Sequence, residues 1–329
     1  MVVNLLEVNG LTVTFPTPDG PVRAVRGISF GVDRGRTLGI VGESGSGKSV
    51  AALTLLGLTP GASVGGQALF GGDDLLAMSE PELRAVRGAR IAVVFQDPLS
   101  SLHPMYRVGW QITEAIRAHT PASRRAARER AIELLGMVGI AQPRRRIDDY
   151  PHQFSGGMRQ RVMIAMALAL GPDLVIADEP TTALDTTVQA QILDLLHRLQ
   201  QELGMALIII THDLGVVAQT ADEVQVMYAG RIAETADRRT IFYRAHHPYT
   251  LGLLGSVPSA AGRGRLTPIA GQPPSPIRLP SGCPFHPRCA YRMDRCTVEE
   301  PPLLTVGGGP GHRSACWLPV DARRSEVMV

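Results

Sequence analysis

The sequence predicts an α/β protein built on a mostly parallel sheet, and three observations predict it. Apolar, strand-like runs alternate with helical periodicity through the first two thirds of the chain; a glycine-rich loop stands between one strand and one helix; and a later apolar strand, residues 173–178 (DLVIAD), ends in acid. Residues 3–14 alternate apolar and polar as a strand does, 27–33 reads as a second strand and 37–41 (TLGIV) as a third. A helix follows over 49–58, then a strand, ARIAVVFQ, ending at Gln96. Between Asp97 and Tyr150 the pattern turns helical and Arg-rich, most clearly over 123–140, which predicts a helical insertion. A helix over 158–170, a turn at Gly171-Pro172, the acidic strand, a helix over 187–203, the strand MALIIITH and a short helix after Asp213 complete the alternation. After about Asp237 the character changes. Pro and Gly crowd residues 258–280, the composition of a linker, and a Cys-bearing tail follows.

At about 150 residues per domain, 329 residues suggest two, and the expected division is 1–236, with a helical part over about 97–160, and 237–329. With 44% hydrophobic and 19% charged residues the chain is too apolar to be disordered and too charged to be a polytopic membrane protein. The longest apolar run, residues 162–170, is half the ~18 residues that would span a bilayer, and the start lacks a basic, then long apolar, leader. A cytosolic location is expected. A net charge of +3 offers no basis for a nucleic-acid surface.

Two counts mark two sites. Of 33 basic residues only Lys48 is lysine. It lies in Gly42-Glu43-Ser44-Gly45-Ser46-Gly47-Lys48-Ser49, which fits G-x-x-x-x-G-K-[ST] in its required setting between strand and helix. The glycines let backbone N–H groups surround phosphate oxygens, Lys48 reaches the β- and γ-phosphates as a compact point charge, and the Ser49 hydroxyl binds Mg²⁺. Asp178, at the end of the buried strand, supports that metal, and Glu179 beside it accepts a proton from attacking water. The second count is cysteine: all four, at 283, 289, 296 and 316, lie in the tail, where a reducing compartment favours metal ligation over disulfides. Spacing does not choose the metal, because the short C-x2-4-C knuckle usual for zinc is absent. His286 and His312 are possible substitute ligands, though a solvated loop is the commoner place for such histidines.

The segment Phe154-Ser155-Gly156-Gly157-Met158-Arg159-Gln160-Arg161 resembles the signature motif of ATP-binding-cassette (ABC) ATPases. Gln96 fits the Q-loop of that family, Ala183-Leu184-Asp185 its D-loop, His212 its switch histidine and Phe15 its adenine-stacking aromatic, all in the family's order. The resemblance implies a P-loop NTPase cassette with a RecA-like core, an antiparallel β subdomain, a helical subdomain and a C-terminal Cys-containing regulatory extension. It implies ATP and Mg²⁺ as cofactors, with Phe15, Gly42, Ser44, Gly45, Ser46, Gly47, Lys48, Ser49, Gln96 and Asp178 on the nucleotide and its metal. Glu179, His212 and Gln96 would be catalytic, and Ser155, Gly156 and Gly157 would complete the site of a partner cassette.

VGESGSGKS, FQDPLSSLHP (95–104), HPYT (247–250) and CPFHPRC are similar to the dipeptide and oligopeptide importer branch, although His103 stands where that branch has Asn. Nickel importers share the branch. The resemblance implies a peripheral subunit on the cytoplasmic face of the inner or plasma membrane. Its partners would be two transmembrane permease subunits, a second cassette subunit that is a paralogue, and an extracytoplasmic substrate-binding protein. It also suggests a [4Fe–4S] cluster on Cys283, Cys289, Cys296 and Cys316, with zinc as the alternative. A soluble cassette ATPase of DNA repair or ribosomes is the rival class, but the chain carries neither a second cassette nor a long coiled coil.

Overall fold

The computed structural model describes residues 4–182, 184–256, 268–307, 309 and 311–319. In chain order the strands are β1 (Leu6–Phe15), β2 (Val22–Val32), β3 (Thr37–Val41), β4 (Ser63–Phe70), β5 (Asp73–Asp74), β6 (Ile91–Val94), β7 (Leu174–Asp178), β8 (Ala206–Thr211), β9 (Glu223–Tyr228), β10 (Arg231–Asp237), β11 (Leu304–Thr305) and β12 (Arg313–Ser314). The α-helices are α1 (Lys48–Thr54), α2 (Glu80–Val86), α3 (Pro98–Ser101), α4 (Val108–His119), α5 (Arg124–Met137), α6 (Pro143–Arg146), α7 (Gly156–Ala167), α8 (Thr186–Leu203), α9 (Leu214–Thr220), α10 (Arg238–Arg244), α11 (Pro248–Gly255) and α12 (Asp294–Val298). The chain gathers into two compact units. One takes the described residues up to 5, 32–36 and 77–210; the other takes 6–31, 37–76 and the described residues from 211 onward.

In the first unit β6, β7 and β8 run parallel, with Val175 opposite Ala92 on one side and Leu207 on the other. All five residues of β7 are buried, as are all six of β8, because helices that connect parallel strands cover both faces of such a sheet. The helices α3 to α6 fall where the sequence turns Arg-rich. In α5, Ala127, Ala131, Ile132, Leu134 and Leu135 form the buried stripe while its arginines stay outside; Arg128 pairs with Asp148 and Arg144 with Glu129. Asp185 caps α8 by accepting the Val188 N–H at 2.9 Å, and Gly204 ends that helix at φ 64°, a conformation glycine adopts without a Cβ clash.

In the second unit β1 and β4 pair antiparallel within the four-stranded order β2-β1-β4-β5. A further ladder places β3 parallel to β9, β9 antiparallel to β10, and β10 antiparallel to β12, which carries β11. The tail thus adds two short strands beside β10. Its core joins β9 and β10 to the tail: Tyr228, Tyr249 and Phe285 pack ring against ring at centroid separations of 4.6 to 5.4 Å, with Cys283 and Cys289 at the edge. Within this core Glu234 is fully buried. Its carboxylate accepts from His312 Nε2 at 2.7 Å and from the His247 N–H at 2.9 Å. His312, expected in a solvated loop or on a metal, is instead 1% exposed, because this carboxylate needs a buried donor.

Candidate nucleotide-binding and hydrolysis site

The phosphate loop runs from the end of β3 into α1. Its glycines answer to neighbouring backbone: a Cβ on Gly42 would strike the Met227 carbonyl of β9, and one on Gly47, at φ 99°, would strike the Ala24 carbonyl of β2. Lys48 is 4% exposed, and its Nζ donates to the carbonyls of Gly42 at 2.7 Å and Glu43 at 3.0 Å. Ser46 Oγ is buried in the same loop without a hydrogen-bond partner. An orphaned hydroxyl and a desolvated ammonium resting on carbonyls are what a triphosphate would satisfy, so the loop fits that ligand. Gly45 takes φ 78°, Ser44 is exposed, and Ser49 opens the helix behind Lys48. Phe15 ends β1 half-buried, and His212 follows β8 exposed.

In the other unit Asp178 closes β7 at 7% exposure. Glu179 follows at φ 46°, a left-handed conformation that costs a non-glycine residue about 1–3 kcal/mol and is kept where surrounding bonds over-determine it. Those bonds are visible. The Glu179 N–H donates to Ile210 O at 2.8 Å, and its Oε2 accepts from Gln96 Nε2 at 3.1 Å and Thr182 Oγ1 at 2.8 Å. Sequence reasoning named Gln96 and Glu179, 83 positions apart, and the fold brings them into contact. It missed Thr182, a hydroxyl three residues after the acid that no spacing rule singles out.

Ser155 is the N-cap of α7, accepting the Met158 N–H at 3.3 Å. The helix begins at Gly156, two residues before the expected Met158. Gly157 has a packing reason of its own: a Cβ there would lie 2.6 Å from Val188 Cγ1 of α8. Ala183 lies outside the described residues, Leu184 lies against Gly156, and Asp185 is engaged as a helix cap.

The four cysteines are unpaired in disulfides and line one small cavity with His286, Tyr291 and Trp317. Burial, together with the neighbouring cysteine sulfurs, pushes the Cys283 thiol up to about 12. A cation among these sulfurs would favour their thiolates, so the donor set suits a soft metal. The expected ligand arrangement is nevertheless not formed: among the described residues no group of three or more His, Cys, Asp or Glu side chains is arranged to hold a metal ion. His286 lines that cavity with its Nδ1 3.0 Å from Cys283 O. His312 belongs to Glu234.

Comparison with known proteins adds the decisive observation. Residues 25–182 match the ABC transporter family and residues 233–296 the family described as oligopeptide/dipeptide transporter, C-terminal region. The oligopeptide transport ATP-binding protein OppD of Salmonella typhimurium is 51% identical over 319 residues, covering 96% of this chain and 94% of that protein. The chain belongs to the oligopeptide/dipeptide family of ABC-transporter ATP-binding proteins. The dipeptide transport ATP-binding protein DppD of Escherichia coli, 50% identical over 96% of this chain and 97% of its own length, is another member that it resembles. Among solved structures, the ATP-binding cassette MJ0796 in a dimeric post-hydrolysis state with ADP and Pi is similar at TM-score 0.64 and 27% identity, covering 71% of this chain and 99% of that one. As a member of this ABC family the chain is an ATP hydrolase coupled to transport. Among the described residues no helix is long and apolar enough to cross a membrane.

Proposed function

We propose that this ATPase drives import of dipeptides or oligopeptides, with ATP held between the phosphate loop of one cassette and the signature segment of another. The observation that carries the chemistry is the Glu179 carboxylate, fixed by Gln96 and Thr182 one residue beyond buried Asp178. Lys48 and the loop N–H groups would hold the β- and γ-phosphates; Ser49, Asp178 and Gln96 would hold Mg²⁺, which would supply neutralisation of charge on the phosphates. Glu179 takes the proton of the attacking water, Gln96 and Thr182 orient its carboxylate, and His212 contacts the γ-phosphate. Phe15 stacks on the adenine. Ser155, Gly156 and Gly157 serve the nucleotide of the partner cassette, a reading supported by the dimeric, ADP-bound state of the similar MJ0796.

The remaining assignments belong to the same reading. The cassette covers 1–236, and 237–329 form the C-terminal extension, matched in part by the transporter C-terminal family. A paralogous cassette, two permease subunits and an extracytoplasmic binding protein complete the assembly, which places this chain at the cytoplasmic face of the membrane. Cys283, Cys289, Cys296 and Cys316 would hold a [4Fe–4S] cluster, a structural or redox-sensing group outside the hydrolytic chemistry; their convergence on one cavity supports it. Iron and acid-labile sulfide assayed after anaerobic purification test that assignment, and metal-free protein of full stability would end it. The function itself is tested with the assembled transporter in vesicles. Peptide should stimulate hydrolysis and accumulate inside them, Glu179→Gln should lower turnover by roughly 10²–10⁴-fold while ATP still binds, and unchanged turnover would remove Glu179 from its role.

A further inference from the structure

The tail reaches back to the phosphate loop and grips its second residue. Glu43 is held at three points: its N–H donates to Tyr249 Oη at 2.8 Å, its carboxylate accepts both prongs of the Arg288 guanidinium at 2.6 and 2.9 Å, and its carbonyl is one of the two that carry the Lys48 ammonium. Neither tail partner is a mobile surface group. Tyr249, on α11, is fully buried, and the Arg288 side chain is 4% exposed. Arg288 also donates from Nε to Ala270 O at 2.9 Å, with the rings of Tyr228 and Phe285 beside it. A planar fork on a carboxylate in such surroundings fixes direction as well as charge. Glu43 meanwhile puts a negative charge on a loop whose ligand is itself an anion. Arg288 cancels that charge. With Arg288 removed, the carboxylate would stand uncompensated beside the phosphates.

We infer that Arg288 and Tyr249 are positioning residues for nucleotide binding: they set the Glu43 backbone, and with it the carbonyl rest of Lys48, and they neutralise Glu43 so that the loop accepts a polyphosphate. The inference rests on the nucleotide site proposed above and extends it into the tail. Arg288 adjoins Cys289, and Phe285, two residues from Cys283, packs on both Tyr228 and Tyr249. The cysteine segment and the phosphate loop are therefore joined through the Phe285–Tyr249 ring contact, the Tyr249–Glu43 hydrogen bond and the Arg288–Glu43 pair.

The test uses the full chain in its assembled transporter, with a fluorescent ATP analogue titrated for affinity and hydrolysis resolved into kcat and KM. Losing a hydrogen-bonded charge partner predicts that Arg288→Gln weakens affinity and raises KM about tenfold, with kcat at saturating ATP within about twofold. Adding Glu43→Gln to Arg288→Gln should recover most of the loss, because the bare carboxylate is gone. Tyr249→Phe keeps the ring in the core and removes only the hydroxyl; it should raise KM about threefold. It decides the matter if Arg288→Gln folds poorly. A tail that is only structural would lower the melting temperature of these variants and leave KM untouched; that result, or a double variant no better than Arg288→Gln, overturns the inference. Lys48→Ala separates the two readings. If it loses nucleotide while Arg288→Gln and Tyr249→Phe retain it, only the positioning role falls; if it binds normally, the nucleotide site falls too.

Discussion

At the scale of single residues, geometry gives several positions a second demand beyond the chemistry assigned to them. Glu179 holds a backbone conformation unfavourable to any side chain, and it is retained at the point where the carboxylate proposed for hydrolysis faces Gln96 and Thr182. Glu179→Gly should therefore leave the melting temperature equal or higher, by up to about 1 kcal/mol in stability, while hydrolysis is lost. A calorimetric scan beside a turnover assay reads both, and a less stable variant would show that the strain lies elsewhere. Thr182 was not legible as a partner of Glu179, because a hydroxyl three residues after an acid has no distinctive spacing; only the turn that follows β7 folds it back. Lys48 was legible at once, from its motif and from being the one lysine.

Among the elements, those with strong periodicity were readable and those built on glycine or on long-range pairing were not. Strands β3, β7 and β8 are buried along their whole length, so their apolar runs stand out in the sequence. Strand β4 carries Gly65 and Gly66, which weaken any strand reading. Gly66 sits at φ 101° beside a shift in the β1 register, with the carbonyls of Asn9 and Gly10 too close for a side chain. Strands β11 and β12 are two residues each and exist only because β10 offers them an edge, a contact that no local pattern announces. The signature helix shows the same mixture. Its glycine pair is expected to complete the site of a partner cassette, yet Gly157 is equally the seat of Val188. Gly157→Ala should cost about 1–3 kcal/mol in chemical denaturation even in the nucleotide-free protein, and Val188→Ala placed beside it should restore part of that stability.

For the molecule as a whole, acid sensitivity follows from one buried carboxylate. Burial works against ionised Glu234, yet hydrogen bonds from His312 and from the N–H groups of His246 and His247 hold it below its ordinary value of 4.5. A carboxylate depressed in the folded state stabilises the fold above that ordinary value and loses the contribution as pH falls through its folded value. Glu234→Ala should destabilise the protein by roughly 3–5 kcal/mol near neutral pH, with the gap from wild type closing as the pH is taken well below 4.5. Melting curves across that range check it, and a gap independent of pH would assign the loss to packing alone. The sequence changes composition near Asp237, but nothing in it marks the ties between residues before and after that point. Glu43 and Arg288 stand 245 positions apart, and Glu234 and His312 stand 78 apart.

One consequence of the Lys48 setting reaches the bench. Apart from the α-amino group, the polypeptide offers an acylating reagent one amine only, and that amine is shielded beneath the loop where substrate would sit. Covalent labelling followed by mass measurement would thus report occupancy of one pocket, free of the background that dozens of surface ammonium groups give in most enzymes.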